Sequence, residues 1–383
     1  MPHRLSLSAL ALALLVALVA VPESAFAWGF TGHRRLASHL HEPFPTGSCL
    51  RAWLSTTTGV YAWQEKACDP DRWRNSDPET CDARQNTPLW CEWPRHYLDI
   101  DYANPVESYP RDWAAAEEKF KQYAVANGRV PWRVEELYAE LVADFRAGNG
   151  ADALETVAYL SHYVTDAASP MHTTKNQPGN LHTRYESDML SNQTRLNALA
   201  VAMRGYYGQL GRVDPKNHTF DLIQVGVPLA QKIIFDDFNS NGAMDALYAN
   251  TSEITARRFA DGVTLMASLV GTAWVEAGSP KLSGMPSGCS TSFPETTVEL
   301  RGYPLPQPQP EDGGTDGGTD DAGTGDEDGG GGGGGGGIPW VPTEPLPEPA
   351  PGGCGCASAP MSMIFLMIPA AAFVMRSRRR RVR

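Results

Sequence analysis

The chain has 383 residues, a formal net charge of −12, seven cysteines and nine histidines. The charge is unevenly spread: residues 304–353 hold ten acidic side chains and no basic one, residues 376–383 hold six arginines, Arg4 and Glu23 cancel, and the remainder carries −8. This excludes the basic footprint of a duplex-DNA binder, and it suits a domain that holds several divalent cations among carboxylates.

Residues 1–27 read as a secretory signal. Arg4 gives a short positive start, an apolar run extends from about Leu5 to Val21, and Ala25-Phe26-Ala27 is a small-x-small cleavage site. Cleavage there makes Trp28 the first residue; a transmembrane anchor is the competing reading of so long an apolar run. Export makes disulfides possible. Cys49, Cys68, Cys81 and Cys91 lie close together and Cys289 stands apart, so the folded part has an unpaired cysteine or a long-range pairing. Four cysteines allow three pairings, and sequence does not choose among them.

Residues 28–303 are expected to form one domain, uninterrupted by low-complexity sequence. Residues 42–112, rich in Pro, Trp, Cys and Asp, show little periodicity and read as long irregular segments tied by disulfides. From about Trp132 the pattern turns helical. Leu137, Leu141 and Phe145 recur at i, i+4, Asn149-Gly150 interrupts, and a second helix follows over 151–165. Residues 183–207 and 240–276 read as further long helices. The expected fold is all-α, a single multi-helical domain. Residues 304–353, with an Asp/Gly/Thr stretch, a glycine run and a Pro-rich end, cannot bury enough apolar surface to fold and read as a disordered linker. Residues 354–383 read as a sorting and anchor segment: Cys354-Gly355-Cys356, an apolar stretch from Ala357 to Met375 just long enough to span a bilayer, and an arginine cluster that holds its end in the cytoplasm.

Five histidines stand in contexts that a metal site needs. His162 and Asp166 are four apart, hence on one face of a helix. Ser169-Pro170 should end that helix, letting His172 approach from another direction. His182 and Glu186 repeat the i, i+4 spacing on the next helix. A single such pair is most often a polar helix surface; two, with a histidine between them, point to a metal cluster. His96 lies in a segment read as strand or extended chain. At the N-terminus, Trp28-Gly-Phe-Thr-Gly-His33 places a free α-amine five residues before a histidine. The amine nitrogen and the Trp28 carbonyl oxygen could chelate one ion, with His33 reaching it after a glycine-permitted turn.

These residues resemble the zinc-dependent phospholipase C / S1-P1 nuclease superfamily over about residues 28–277. The WGFTGH start looks most like the nuclease branch. His162-x3-Asp166-x5-His172 followed by His182-x3-Glu186 looks most like the phospholipase C branch. The resemblance implies three zinc ions. One would be held by His162, Asp166, His96 and an upstream aspartate; a second by His172, His182 and Glu186; a third by the Trp28 amine and carbonyl and His33, with Asp166 bridging to the first. Asp69, Asp71 and Asp77 are candidates for the upstream ligand. Asp71 is taken because its Asp-x-x-Arg form fits the family best, and it is also the candidate to orient the attacking water or take its proton. The C-terminal segment resembles the MYXO-CTERM sorting signal, which implies a sorting protease acting near Cys354 or Cys356, export, and attachment at the cell surface or outer membrane or release after processing.

Three functions compete. The leading expectation is a monomeric phospholipase C that cleaves phospholipid at a membrane surface by a zinc-activated water. The alternative is an S1/P1-type single-strand nuclease or 3′-nucleotidase, which needs aromatic platforms for bases; Trp53, Trp63, Trp73, Trp90, Trp93 and Trp113 are candidates for platforms or for core. The third is a non-catalytic, zinc-stabilised surface binding module with every site closed.

Overall fold

The computed structural model describes residues 28–55, 60–74 and 91–302. The signal, linker and anchor readings, together with Asp77, Cys81 and Trp90, lie outside the described residues. Among those described there is no β-strand, only isolated bridges such as Leu98↔Gly128 and Ser48↔Ser290, and no helix is long and apolar enough to cross a membrane. The fold is all-α and single-domain, with the helices α1 (Gly29–Ser38), α2 (Cys49–Leu54), α3 (Val60–Lys66), α4 (Asp69–Arg74), α5 (Trp113–Phe120), α6 (Val130–Arg146), α7 (Gly150–Ala168), α8 (Gln193–Met203), α9 (Pro215–Asn239) and α10 (Met244–Glu276).

Helices α6 and α7 form as their spacing requires. Leu137, Leu141 and Phe145 are buried on one face of α6. Asn149 caps α7 by accepting a hydrogen bond from the Asp152 amide. Helix α7 lies between α6 and α10, with α1 and α3 against its other sides, so thirteen of its nineteen residues are buried. It ends at Ala168, because Ser169 precedes proline and takes extended angles (φ −72°, ψ 127°).

Several expectations are corrected. Residues 42–112 hold α2, α3 and α4 and a 3₁₀ turn over Trp93–His96; the segments are too short for periodicity to show them. His96 therefore sits at the end of a helical turn, not in a strand. Residues 183–207 are not one helix: a π-helical stretch, Arg184–Asp188, is followed by a break at Asn192, which caps α8. The last long helix starts at Met244, after a turn with Asn241 and Gly242 at positive φ. The cysteine-rich stretch is not closed on itself alone. Cys49 pairs with Cys289, 240 residues away, Cys91 is disulfide-bonded, and Cys68 is a buried free thiol.

Candidate metal centre

Trp28 is fully buried at the start of α1. Its indole Nε1 donates to the Thr165 carbonyl of α7 at 2.7 Å, and its ring meets Phe259 edge-on at 4.7 Å. The chain turns tightly here: a Cβ on Gly32 would stand 2.8 Å from the Trp28 Cβ. Only glycine permits that approach, and it sets His33 against α7 one turn later. The Trp28 carbonyl accepts from the Gly32 amide at 3.0 Å.

Five of the predicted residues gather in one buried cluster. Asp166 Oδ2 lies 3.0 Å from His96 Nδ1 and 3.2 Å from His162 Nε2, and its Oδ1 lies 3.3 Å from His33 Nε2. His33 stacks on His162 with ring centroids 3.9 Å apart. Asp71 Oδ1 is 3.9 Å from both His96 Nδ1 and His162 Nε2. Asp69, by contrast, pairs with Arg72 and Lys66 outside the cluster. A second group forms where His182 Nε2 and His172 Nε2 stand 2.6 Å and 3.4 Å from Glu186 Oε2 and 3.0 Å from each other. In each of three groups, His33–Asp71–His162, His96–His162–Asp166 and His172–His182–Glu186, the donor atoms lie within 4.8 Å of one another and could hold a metal ion.

The hydrogen bonds around these rings decide which nitrogens turn inward. His162 Nδ1 donates to the Ala67 carbonyl at 2.7 Å and His172 Nδ1 to the His96 carbonyl at 2.6 Å. His182 Nδ1 meets Gln177 Oε1 at 2.8 Å; the amide of Gln177 is oriented by donating from Nε2 to the Met171 carbonyl, so its oxygen must accept. Thr165 spends its only proton on the Ser161 carbonyl at 2.8 Å, so His33 Nδ1, 3.1 Å away, is the donor to Thr165 Oγ1. Four imidazoles are thus held with Nδ1 as the outward donor and Nε2 turned inward, which is how outer partners orient metal-ligating histidines. His96 alone faces the cluster with Nδ1. Ring nitrogens and carboxylate oxygens then oppose one another at about 3 Å, an arrangement that needs protons or a cation between them.

Charge reinforces this picture. Burial keeps His33 and His96 less basic than ordinary histidines. For His162 burial works against charging, but Asp166 and Asp71 outweigh it and hold its pKa above the usual value. Burial alone would raise Asp166, yet His162 and the hydrogen bonds from the surrounding imidazoles hold it well below the carboxylate range. The second group repeats the pattern: despite burial, Glu186 raises His172 to about 9, and His182 and His172 bring Glu186 down to about 2. Cys68, beside Ala67, is not among the grouped donors: its thiol donates to the Phe30 carbonyl at 3.4 Å, and burial raises its pKa to about 12. Imidazoles and carboxylates without thiolate fit zinc in an open, catalytic type of site.

Sequence reasoning missed the residues that hold the ligands. Ser169 was read only as a helix stop, yet its hydroxyl donates to Glu186 Oε1. Thr165 and Gln177 carried no signal beyond their places between ligands.

No family model matches the chain, and no curated protein matches it. Among solved structures the chain is similar to the alpha toxin from Clostridium absonum, at a TM-score of 0.39 and 12% identity over 66% of this chain. It spans 64% of that protein's length, and a likeness of this degree carries nothing about function.

Proposed function

We propose that this chain is a zinc-dependent phosphodiester hydrolase that acts as a phospholipase C. The observation that carries the reading is the set of four imidazoles, three buried and His182 partly exposed, that donate outward through Nδ1 and turn Nε2 toward Asp166 and Glu186. His162, Asp166, His96 and Asp71 would hold one ion, His172, His182 and Glu186 a second, and the Trp28 amine and carbonyl with His33 and Asp166 a third. Zinc there supplies Lewis acidity toward a phosphoryl oxygen and lowers the pKa of water toward about 7.

The chain's own residues supply the rest. Asp166 is the shared anion of the larger cluster and keeps three imidazoles in register. Asp71, farther from the rings than Asp166 but fully buried, is placed to orient the attacking water and take its proton. Burial of Asp71, His162 and Asp166 to 0% exposure excludes bulk water from the inner wall of the site and strengthens each charge interaction there.

The described tryptophans lend little to the nuclease reading, while the exposed rings of Tyr102, Tyr123, Phe235 and Phe238 decide nothing between the two substrates. A single-strand nuclease stacks bases on exposed rings. Of the tryptophans named above, Trp53 and Trp63 are in the core, Trp73 and Trp113 are partly buried against Tyr159 and Trp132, and only Trp93 among those described is more than a third exposed, at 37%. The test is the mature chain beginning at Trp28, zinc-loaded, assayed on phosphatidylcholine vesicles and on single-stranded DNA and RNA. Diacylglycerol release is expected. Nucleotide release alone would overturn the lipid reading, and inertness toward all three with zinc bound would make the domain a binding module.

A further inference from the structure

Ser169 stands at the junction of the two groups of ligands and is fully buried. It follows the last residue of α7, which supplies His162 and Asp166, and it starts the 3₁₀ turn Pro170–His172 that delivers His172. Its amide donates to the Asp166 carbonyl at 2.9 Å. Its hydroxyl oxygen accepts from the Met171 amide at 3.2 Å and spends its proton on Glu186 Oε1. The preceding carbonyl, that of Ala168, is gripped at 2.8 Å by the buried Arg258 Nε, and Arg258 is itself braced on the Leu222 carbonyl and Asp261. The serine is therefore fixed on both sides, and its hydroxyl has one direction left.

The two oxygens of Glu186 are thereby made unequal. Oε1 is occupied by Ser169, whereas Oε2 faces the inward Nε2 atoms of His172 and His182 at 3.4 and 2.6 Å. A carboxylate with both oxygens free can close on a cation with both. At a centre with only three protein ligands, that closure would consume the position a catalytic zinc keeps for water or substrate.

We propose that Ser169 is a positioning residue that makes Glu186 a one-oxygen ligand and so keeps one coordination position of the His172–His182–Glu186 centre open for the substrate's phosphoryl oxygen. This rests on the metal-dependent reading above. The histidine rings of the same centre are oriented by Gln177 and by the His96 carbonyl; Ser169 does the corresponding work for the carboxylate.

The experiment uses the mature chain loaded with ¹¹³Cd, so that each bound ion reports its own ligands by NMR. In Ser169→Ala one cadmium resonance is expected to move toward higher shielding, as a second oxygen joins, while the others hold their positions. Ser169→Thr, which restores the hydroxyl, is expected to return it. With zinc, kcat/KM of Ser169→Ala should fall by about 10–100-fold, the range for loss of a group that orients a ligand. Ser169→Gly, which also lacks the hydroxyl, is the second variant should the alanine protein not fold. A cadmium spectrum unchanged in either hydroxyl-free variant, with all ions bound, overturns the proposal and leaves the metal reading intact. A wild-type chain that takes up no cadmium overturns both.

Discussion

Replacing Asp166 with asparagine tests the layout of the larger cluster. The side chain is fully buried and touches three imidazoles, His33 through Oδ1 and His96 and His162 through Oδ2, at 3.0–3.3 Å. Asparagine keeps the shape, removes the charge and turns a donor toward a ring nitrogen that is itself seeking a cation. A four-ligand structural zinc site is worth about 10–16 kcal/mol at neutral pH. An equal share is about 3 kcal/mol for one ligand, or roughly 10²-fold in affinity. Because Asp166 is shared, that loss should fall on two ions at once, while the His172–His182–Glu186 ion stays. The assay is zinc content after dialysis against chelators of graded strength. Asp166→Asn should lose two ions at a chelator strength where the wild type keeps three. Loss of a single ion would refute the bridging role, and equal weakening of all three would refute the division into two groups.

Further outcomes follow from particular contacts. A chain with one extra methionine before Trp28 should bind one zinc fewer, because the α-amine becomes a peptide nitrogen; full zinc content by atomic absorption would refute that. His172 is raised to about 9 by Glu186 despite its burial, so below that pH the proton competes with metal. Zinc affinity of its centre should fall about tenfold per pH unit from pH 8 to 6, measured by chelator competition in Asp166→Asn; a flat profile would contradict the pairing. Arg258→Met leaves Asp261 as a buried charge without its partner and should cost about 3–5 kcal/mol in urea unfolding, with Arg258→Met/Asp261→Leu recovering part of it. Cys289→Ser removes a crosslink between residues 240 apart, worth about 5 kcal/mol in the chain-entropy account, and should lower Tm measurably.

The pairing of the candidate ligands is legible because helical spacing is local. His162 with Asp166 and His182 with Glu186 lie four apart, and any helix puts such pairs on one face. The break at Ser169-Pro170 was legible for the same reason, since proline restricts the residue before it. The helices of residues 42–112 were not, because six- and seven-residue segments are too short to reveal a period.

What lies beyond local spacing was decided by packing. Of the three aspartates that the sequence offers near His96, Asp77 lies outside the described residues; between the other two, burial sets Asp71 against His162 and leaves Asp69 with surface cations. It also left the cysteine pairing open, and the partner of Cys49 proved to be Cys289 at the far end of the domain. The orientation of the imidazoles depends on Ala67 for His162, 95 residues away, and on the His96 carbonyl for His172, 76 residues away. Residue types and i, i+4 periodicity are written in the chain, so the candidate ligands could be named from it. Which nitrogen each histidine turns inward, and which oxygen of Glu186 Ser169 takes, depend on hydrogen bonds between segments distant in sequence, and those exist only once the helices have packed.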